Sequence, residues 1–227
     1  MSDISCFQEN PWLKLPKTAP YILNEDLKTL INCDVNTNKL GWRLELLPVP
    51  YLGNPKRAKF VVLCLNPGYN KDFDEKAYFE DEYYIQESLK SLNFKSSTPF
   101  YCLDSKFDYS GGYVWWTRLL RPLIKRFGLK VLSEKLMCLQ YIGYHSKTFK
   151  NPPCLLPSQK YTFSLLKQFM KENKTIIVMR SKKLWIQAVP ELDNYPYIEL
   201  KNYRMPFLTE NNVKKGDFQL LIKALQG

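Results

Sequence analysis

The feature that most narrows the possible folds is the run Phe60-Val61-Val62-Leu63-Cys64-Leu65, closed by Asn66-Pro67-Gly68. An uninterrupted apolar run rich in β-branched residues reads as a strand buried on both faces, as in a parallel sheet, and Asn-Pro-Gly reads as the tight turn that ends it. Leu136 to Ile142, ended by Gly143, and Thr175 to Met179, ended by Arg180-Ser181, have the same character, and Tyr197-Ile198-Glu199-Leu200 is a weaker fourth. Between them lie helical patterns: Tyr113 to Phe127, with Trp116, Leu119, Leu120, Leu123 and Ile124 at helical spacing, then Gln159 to Asn173 and Ser181 to Val189. This alternation predicts an α/β three-layer sandwich: a central, mostly parallel four-stranded sheet flanked by helices, with its ligand site beyond the carboxyl ends of the strands. Residues 1–227 are expected to form one domain, with 1–47 as an N-terminal extension packed on it.

The 227 residues, 45% of them hydrophobic, can bury a core without disulfides or metals. Thirty-three Lys and Arg against 22 Asp and Glu give a formal charge of +11, which favours a polyanionic partner such as DNA or RNA through phosphate contacts and counterion release. Charge alone names no substrate. Cysteines 6, 33, 64, 102, 138 and 154 are scattered without a C-x-x-C pair, so they are expected to be reduced and structural, with no metal or other cofactor. The first residues, MSDISCFQENPW, lack a basic region followed by an apolar core, and no segment approaches the ~20 apolar residues of a membrane span. A cytoplasmic monomer with no membrane contact is expected. The segment from Asn70 to Phe100, crowded with Asp, Glu, Tyr and Phe, reads as a helix with an aromatic face or as a lid, and its acidity suits phosphate contact poorly.

Chemistry is expected at the strand-to-loop junctions. After the first strand stand Asn66 and Tyr69, the latter a flat face on which an extruded base can stack. At the end of the second stand Gln140, Tyr144, His145 and Ser146. His145, the only histidine, is the ordinary candidate for proton transfer near neutral pH, and a loop histidine that merely hydrogen-bonds is the alternative. Trp115 is placed at a pocket and Trp116 in the core. Arg180 and Lys182, at the third strand end, are candidates for contact with a nucleic-acid backbone. The fourth junction holds Arg204, suited to a phosphate, and the apolar residues Met205, Pro206, Phe207 and Leu208, which fit either a wedge into a base stack or an anchor in the core.

Pro50-Tyr51-Leu52-Gly53-Asn54-Pro55 followed by the strand ending in Leu65-Asn66-Pro67-Gly68 resembles the first active-site motif of the uracil-DNA glycosylase superfamily, in the G-I-N-P-G form of its mismatch-specific branch, with Cys64 in place of the opening Gly. The resemblance runs from about residue 48 to the end. It implies a monofunctional DNA glycosylase that flips a base out of the stack, with Asn66 positioning the water that attacks the sugar. It further implies that Gln140 reads the flipped base's edge and that residues 200–209 stand where the family's H-P-S-P-L-S wedge motif lies, without its His. The pattern P-Y-L-G-N-P, L-N-P-G, Y-H-S, M-R-S-K-K-L-W is similar to a prokaryotic branch whose functional neighbours are antiviral glycosylases that remove glucosylated hydroxymethylcytosine from phage DNA. The excised base is then uracil-type or a modified cytosine, in base excision or phage defence. Three other classes remain: a non-catalytic DNA- or RNA-binding protein on the same fold, a lyase working through a Lys Schiff base, and a metal-dependent nuclease, which needs clustered carboxylates at strand ends where Asn66, His145 and Arg180 stand.

Overall fold

The computed structural model describes residues 10–226; Cys6 and most of the amino-terminal stretch considered above lie outside them. The structure is α/β, with a mostly parallel sheet between helical layers. The strands are β1 (Tyr51–Leu52), β2 (Phe60–Cys64), β3 (Leu136–Gln140), β4 (Thr175–Val178) and β5 (Tyr197–Glu199), in spatial order β1-β3-β2-β4-β5. All four expected strands are present. The sheet has five rather than four, because Tyr51–Leu52 pairs antiparallel with Leu139 and Cys138 at the edge; two residues are too short for a periodicity to register.

The principal helices are α1 (Asn24–Asn32), α2 (Lys71–Glu75), which runs on into a wide turn over Lys76–Glu80, α3 (Glu82–Ser91), α4 (Gly111–Leu119), α5 (Arg121–Lys135), α6 (Pro157–Lys171), α7 (Lys182–Ala188) and α8 (Asp217–Gln226). The single helix expected over 113–127 is two. Leu120 leaves helical geometry (φ −96°, ψ 7°) and Pro122 sits in the first turn of α5, where its missing N–H costs nothing but where it cannot continue a preceding helix.

Because successive strand residues point to opposite faces, the three central strands feed two cores. Phe60, Val62, Leu136, Cys138 and Ile177 pack under α4, α5 and α8 with Trp116, Leu123 and Leu221. Val61, Leu63, Met137, Leu139 and Ile176 pack under α6 and α7 with Phe169 and Trp185, and also hold Trp12, Leu30 and Trp42 of the N-terminal segment. The chain leaves β2 toward the first face, whereas it leaves β3 and β4 toward the second. The connections after β2 and after its neighbours thus run to opposite faces of the sheet, the condition that opens a crevice at the carboxyl end of a parallel sheet. The register sets Cys64 level with Gln140 and Leu63 level with Val178, so the crevice is walled by residues from three strand ends at one height. Among the described residues, no helix is long and apolar enough to cross a membrane.

Gly53 shows how closely β1 is docked. Its φ is +103°, and a Cβ there would stand 2.3 Å from the Leu136 carbonyl oxygen. Gly53→Ala is therefore expected to lower unfolding free energy by more than about 2 kcal/mol. Gly68→Ala, at ordinary φ with nothing within 4 Å of the added carbon, should stay within about 0.5 kcal/mol in the same urea titration.

Candidate active site

The loop after β2 is laced to the loop after β3. Tyr141 N donates to Cys64 O (3.1 Å), Ile142 N to Leu65 O (2.8 Å) and Ser146 N to Pro67 O (3.2 Å). These contacts carry residues 65–68 out over the sheet and form one wall of a cavity of about 450 Å³ at the carboxyl end of β2. Asn66, Tyr69, Gln140, His145, Ser146, Trp115 and Arg180 all line it, so seven side chains from four separate segments meet in one place.

Asn66 has a determined orientation. Its side-chain nitrogen lies 2.8 Å from Pro67 O, 3.4 Å from Ser146 O and 2.9 Å from Ser146 Oγ, and that hydroxyl donates onward to Thr148 O at 3.0 Å. Two of these partners are carbonyl oxygens, which only accept, so the amide end facing them must be the donor. Oδ1 points away and has no partner among the described residues. Gln140, 6% exposed at the end of β3, contributes a second amide, whose Oε1 is buried and unpartnered. An unsatisfied buried amide costs on the order of 1–3 kcal/mol, a cost that a ligand with a complementary polar edge removes.

Tyr69 is braced from behind. The Arg43 guanidinium lies 4.0 Å from its ring centroid, outside the cavity wall, and its hydroxyl donates to Glu75 Oε1 at 3.3 Å. Trp115 is 38% exposed and stands edge-on to the buried Trp116, ring centroids 4.6 Å apart; Trp116 packs in the core, as its helical spacing indicates.

The geometry does not favour His145 for proton transfer. Its Nδ1 lies 2.7 Å from the Gly68 carbonyl oxygen and must donate to it; Nε2 then accepts from Tyr78 Oη at 3.0 Å. Both nitrogens are occupied, and burial holds the ring's pKa down at about 4. A neutral imidazole with no free nitrogen braces the turn at Gly68 instead.

Tyr144 does not line the cavity. It is 1% exposed and packs between Trp12 and Trp42 on the opposite side, where its hydroxyl donates to Asp26 Oδ2 (2.7 Å) and accepts from Leu23 N (3.1 Å). The loop presents His145 and Ser146 to one side and Tyr144 to the other, so adjacency in sequence did not mean a shared surface. Lys182 is also outside the cavity wall, paired with Glu199 at 2.9 Å. Arg204 and Met205 are exposed on a loop whose shape is set by Asn212: its Nδ2 donates to Phe207 O (2.9 Å) and Met205 O (3.1 Å), and its Oδ1 accepts from Asn202 N (2.8 Å). Phe207 is half-buried, with the Arg118 guanidinium 5.3 Å from its ring centroid.

Sequence reasoning missed several lining residues: Asp74, Tyr78, Tyr84 and Tyr101 from the acidic, aromatic segment and the turn after it, and the cations Arg118 and Lys147. The segment 70–100 is not one helix: α2, the wide turn and α3 follow one another and put Tyr78 and Tyr84 into the cavity wall. One signal was available. Gly111-Gly112 opens α4, and a Cβ at the first would stand 2.7 Å from Asp74 Oδ1 while one at the second would stand 2.8 Å from Cys102 Sγ; the glycine pair marks a close approach to that segment.

The pKa of His145 gives a pH-dependent stability. Its folded-state value, about 4, lies below the unfolded 6.5, so its contribution is fully present above pH 6.5 and is lost as pH falls toward 4. About 2 kcal/mol should disappear between about pH 7.5 and about pH 5. In urea titrations at both pH values, His145→Gln should be less stable at neutral pH and should show a correspondingly smaller pH difference.

Comparison of the chain with models of protein families, with curated proteins and with solved structures found no match in any of the three.

Proposed function

We propose that this protein is a monofunctional DNA glycosylase that receives an extruded base in the cavity beyond β2 and hydrolyses its N-glycosidic bond, leaving an abasic site. The observation that carries the reading is the pair of amides in one cavity: Asn66, with its nitrogen tied down and Oδ1 free, and Gln140, nine-tenths buried with an unpartnered oxygen. An acceptor fixed at a strand end orients a water molecule without having to reorganise, and a buried unpaired amide oxygen selects a ligand edge that carries a donor. Flipped bases have such edges on their Watson–Crick side.

Each remaining part has a place in this reaction. Tyr69, backed by Arg43, supplies the stacking face that replaces the lost neighbours in the DNA. Arg118, Lys147 and Arg180 line the cavity and, with the +11 charge, favour phosphates at its mouth. Arg204 and Met205, exposed on the loop shaped by Asn212, meet the duplex beside the vacated base. At about 450 Å³ the cavity falls in the range of roughly 300–1,000 Å³ that holds drug-sized ligands, more room than a bare pyrimidine fills. A bulky modified base, such as glucosylated hydroxymethylcytosine in phage DNA, suits that size, and the protein then acts in the cytoplasm as a monomer against incoming DNA.

The test is base release from DNAs carrying uracil, hypoxanthine, a thymine mismatch, hydroxymethylcytosine or its glucosylated form, with abasic sites resolved by alkaline cleavage. Wild type should release at least one of these, the bulky base fastest, and Asn66→Ala should slow release by about 100-fold or more while DNA binding persists. No release from any substrate, with DNA bound equally by both proteins, would move the assignment to a non-catalytic DNA-binding protein.

A further inference from the structure

Hydrolysis of an N-glycosidic bond builds positive charge on the sugar and frees a proton from the attacking water. Asn66 can orient that water but cannot take its proton, and both nitrogens of His145 are already engaged. Among the described residues that line the cavity there is one carboxyl group, that of Asp74.

Its setting is unusual for a carboxylate. Asp74 is 6% exposed, and among the described residues no Lys or Arg forms an ion pair with it, in a chain of formal charge +11. Buried carboxylates are ordinarily neutralised by a cation. Here Oδ2 accepts from Asn70 N at 2.7 Å, and the Gly111 N–H at the start of α4 also donates to the carboxyl group. Oδ1 lies against the bare α-carbon of Gly111, at a distance no other side chain would permit. These backbone donors hold the group in place without cancelling its charge, so the charge remains available to a cation that arrives with the substrate.

We propose that Asp74 is the catalytic carboxylate of this site, resting on the glycosylase reading above: it faces the developing sugar cation and accepts the proton of the water held by Asn66. The water oxygen bonds to C1′ as the C1′–N bond breaks. The bonding pair leaves with the base, which is protonated by solvent; one water proton passes to Asp74, which then loses it to solvent. Burial raises the pKa of Asp74 above its ordinary 3.8, which brings it closer to that of an effective base near neutral pH. The groups around it are Tyr78 and Cys102, both neutral at working pH because burial raises them, the neutral ring of His145, and the cations Arg118, Lys147 and Arg180 along the cavity wall.

Single-turnover base release across about pH 8 to about pH 4 tests this on the substrate identified above, comparing wild type with Asp74→Asn, alongside binding to the same DNA with a 2′-fluoro sugar that resists cleavage. Expected are binding by the variant within about threefold of wild type, release slower by about 100-fold or more, and a wild-type rate that declines on the acid side through a titration that the variant lacks. A group that only clamps α4 to residues 70–74 would alter melting temperature and binding and leave the pH profile of the residual activity unchanged, which overturns the assignment. Release by Asp74→Asn at the wild-type rate overturns it equally. Should the variant not fold, a wild-type rate flat down to about pH 4 would still refute it, because a base whose pKa is raised above 3.8 is substantially protonated there. If wild type releases no base from any DNA, the glycosylase reading falls and this assignment falls with it.

Discussion

The site depends on a short set of backbone hydrogen bonds that lash the turn at residues 65–68 to residues 141–146. Each contributes about 1 kcal/mol net, so none is decisive for folding, but together they determine where Asn66 stands. With β2 and β3 in register to their last residues, the lashing carries Asn66 a fixed distance beyond Gln140, and His145 locks the turn by donating to Gly68 O. The histidine's contribution is structural: a neutral ring, held neutral by burial, that keeps a carbonyl and therefore a turn in place. Positioning by packed, uncharged groups is what a reaction needs when the water must be held rather than activated by a strong base.

A second layer of organisation is electrostatic. The chain carries excess positive charge, and the described cavity wall carries three cations, yet the one carboxylate there has no ion-pair partner among the described residues. Its hydrogen bonds come from backbone N–H groups at Asn70 and at the start of α4. Cations suit phosphates and a departing anionic base, whereas an unpaired carboxylate suits a cationic sugar, and the cavity brings both to the same substrate. The acidic composition of residues 70–82, unfavourable for phosphate contact, has a different consequence here: it supplies one carboxylate to the interior while the others remain at the surface.

The buried strands were legible because runs such as residues 60–65 admit few other structures, and the parallel arrangement followed from the helices between them. The strand-end residues Asn66, Gln140 and Arg180 line the cavity for the same reason: position at a carboxyl end of a parallel strand is a statement about location. Residues farther from a strand end were less legible. Tyr144 and His145 are neighbours that face opposite sides, which depends on loop dihedrals that no periodicity encodes. Asp74 is held in the cavity wall against Gly111, 37 positions later in the chain; the glycine pair signals a close approach, but which residue makes it is settled only by the folded chain. The break between α4 and α5 was signalled by Pro122, whose geometry outweighs the apolar spacing around it, and α5 is itself kinked at Gly128 (φ 80°).

The central claim, that an extruded base enters the cavity beyond β2, is tested most directly by a crystal structure of the protein bound to DNA whose target nucleotide carries a 2′-fluoro sugar. The account predicts the base inside the cavity, one face on Tyr69, its polar edge within hydrogen-bonding distance of the Gln140 amide, and a water on Asn66 Oδ1 below C1′. DNA bound with every base stacked in the helix and the cavity empty would contradict it.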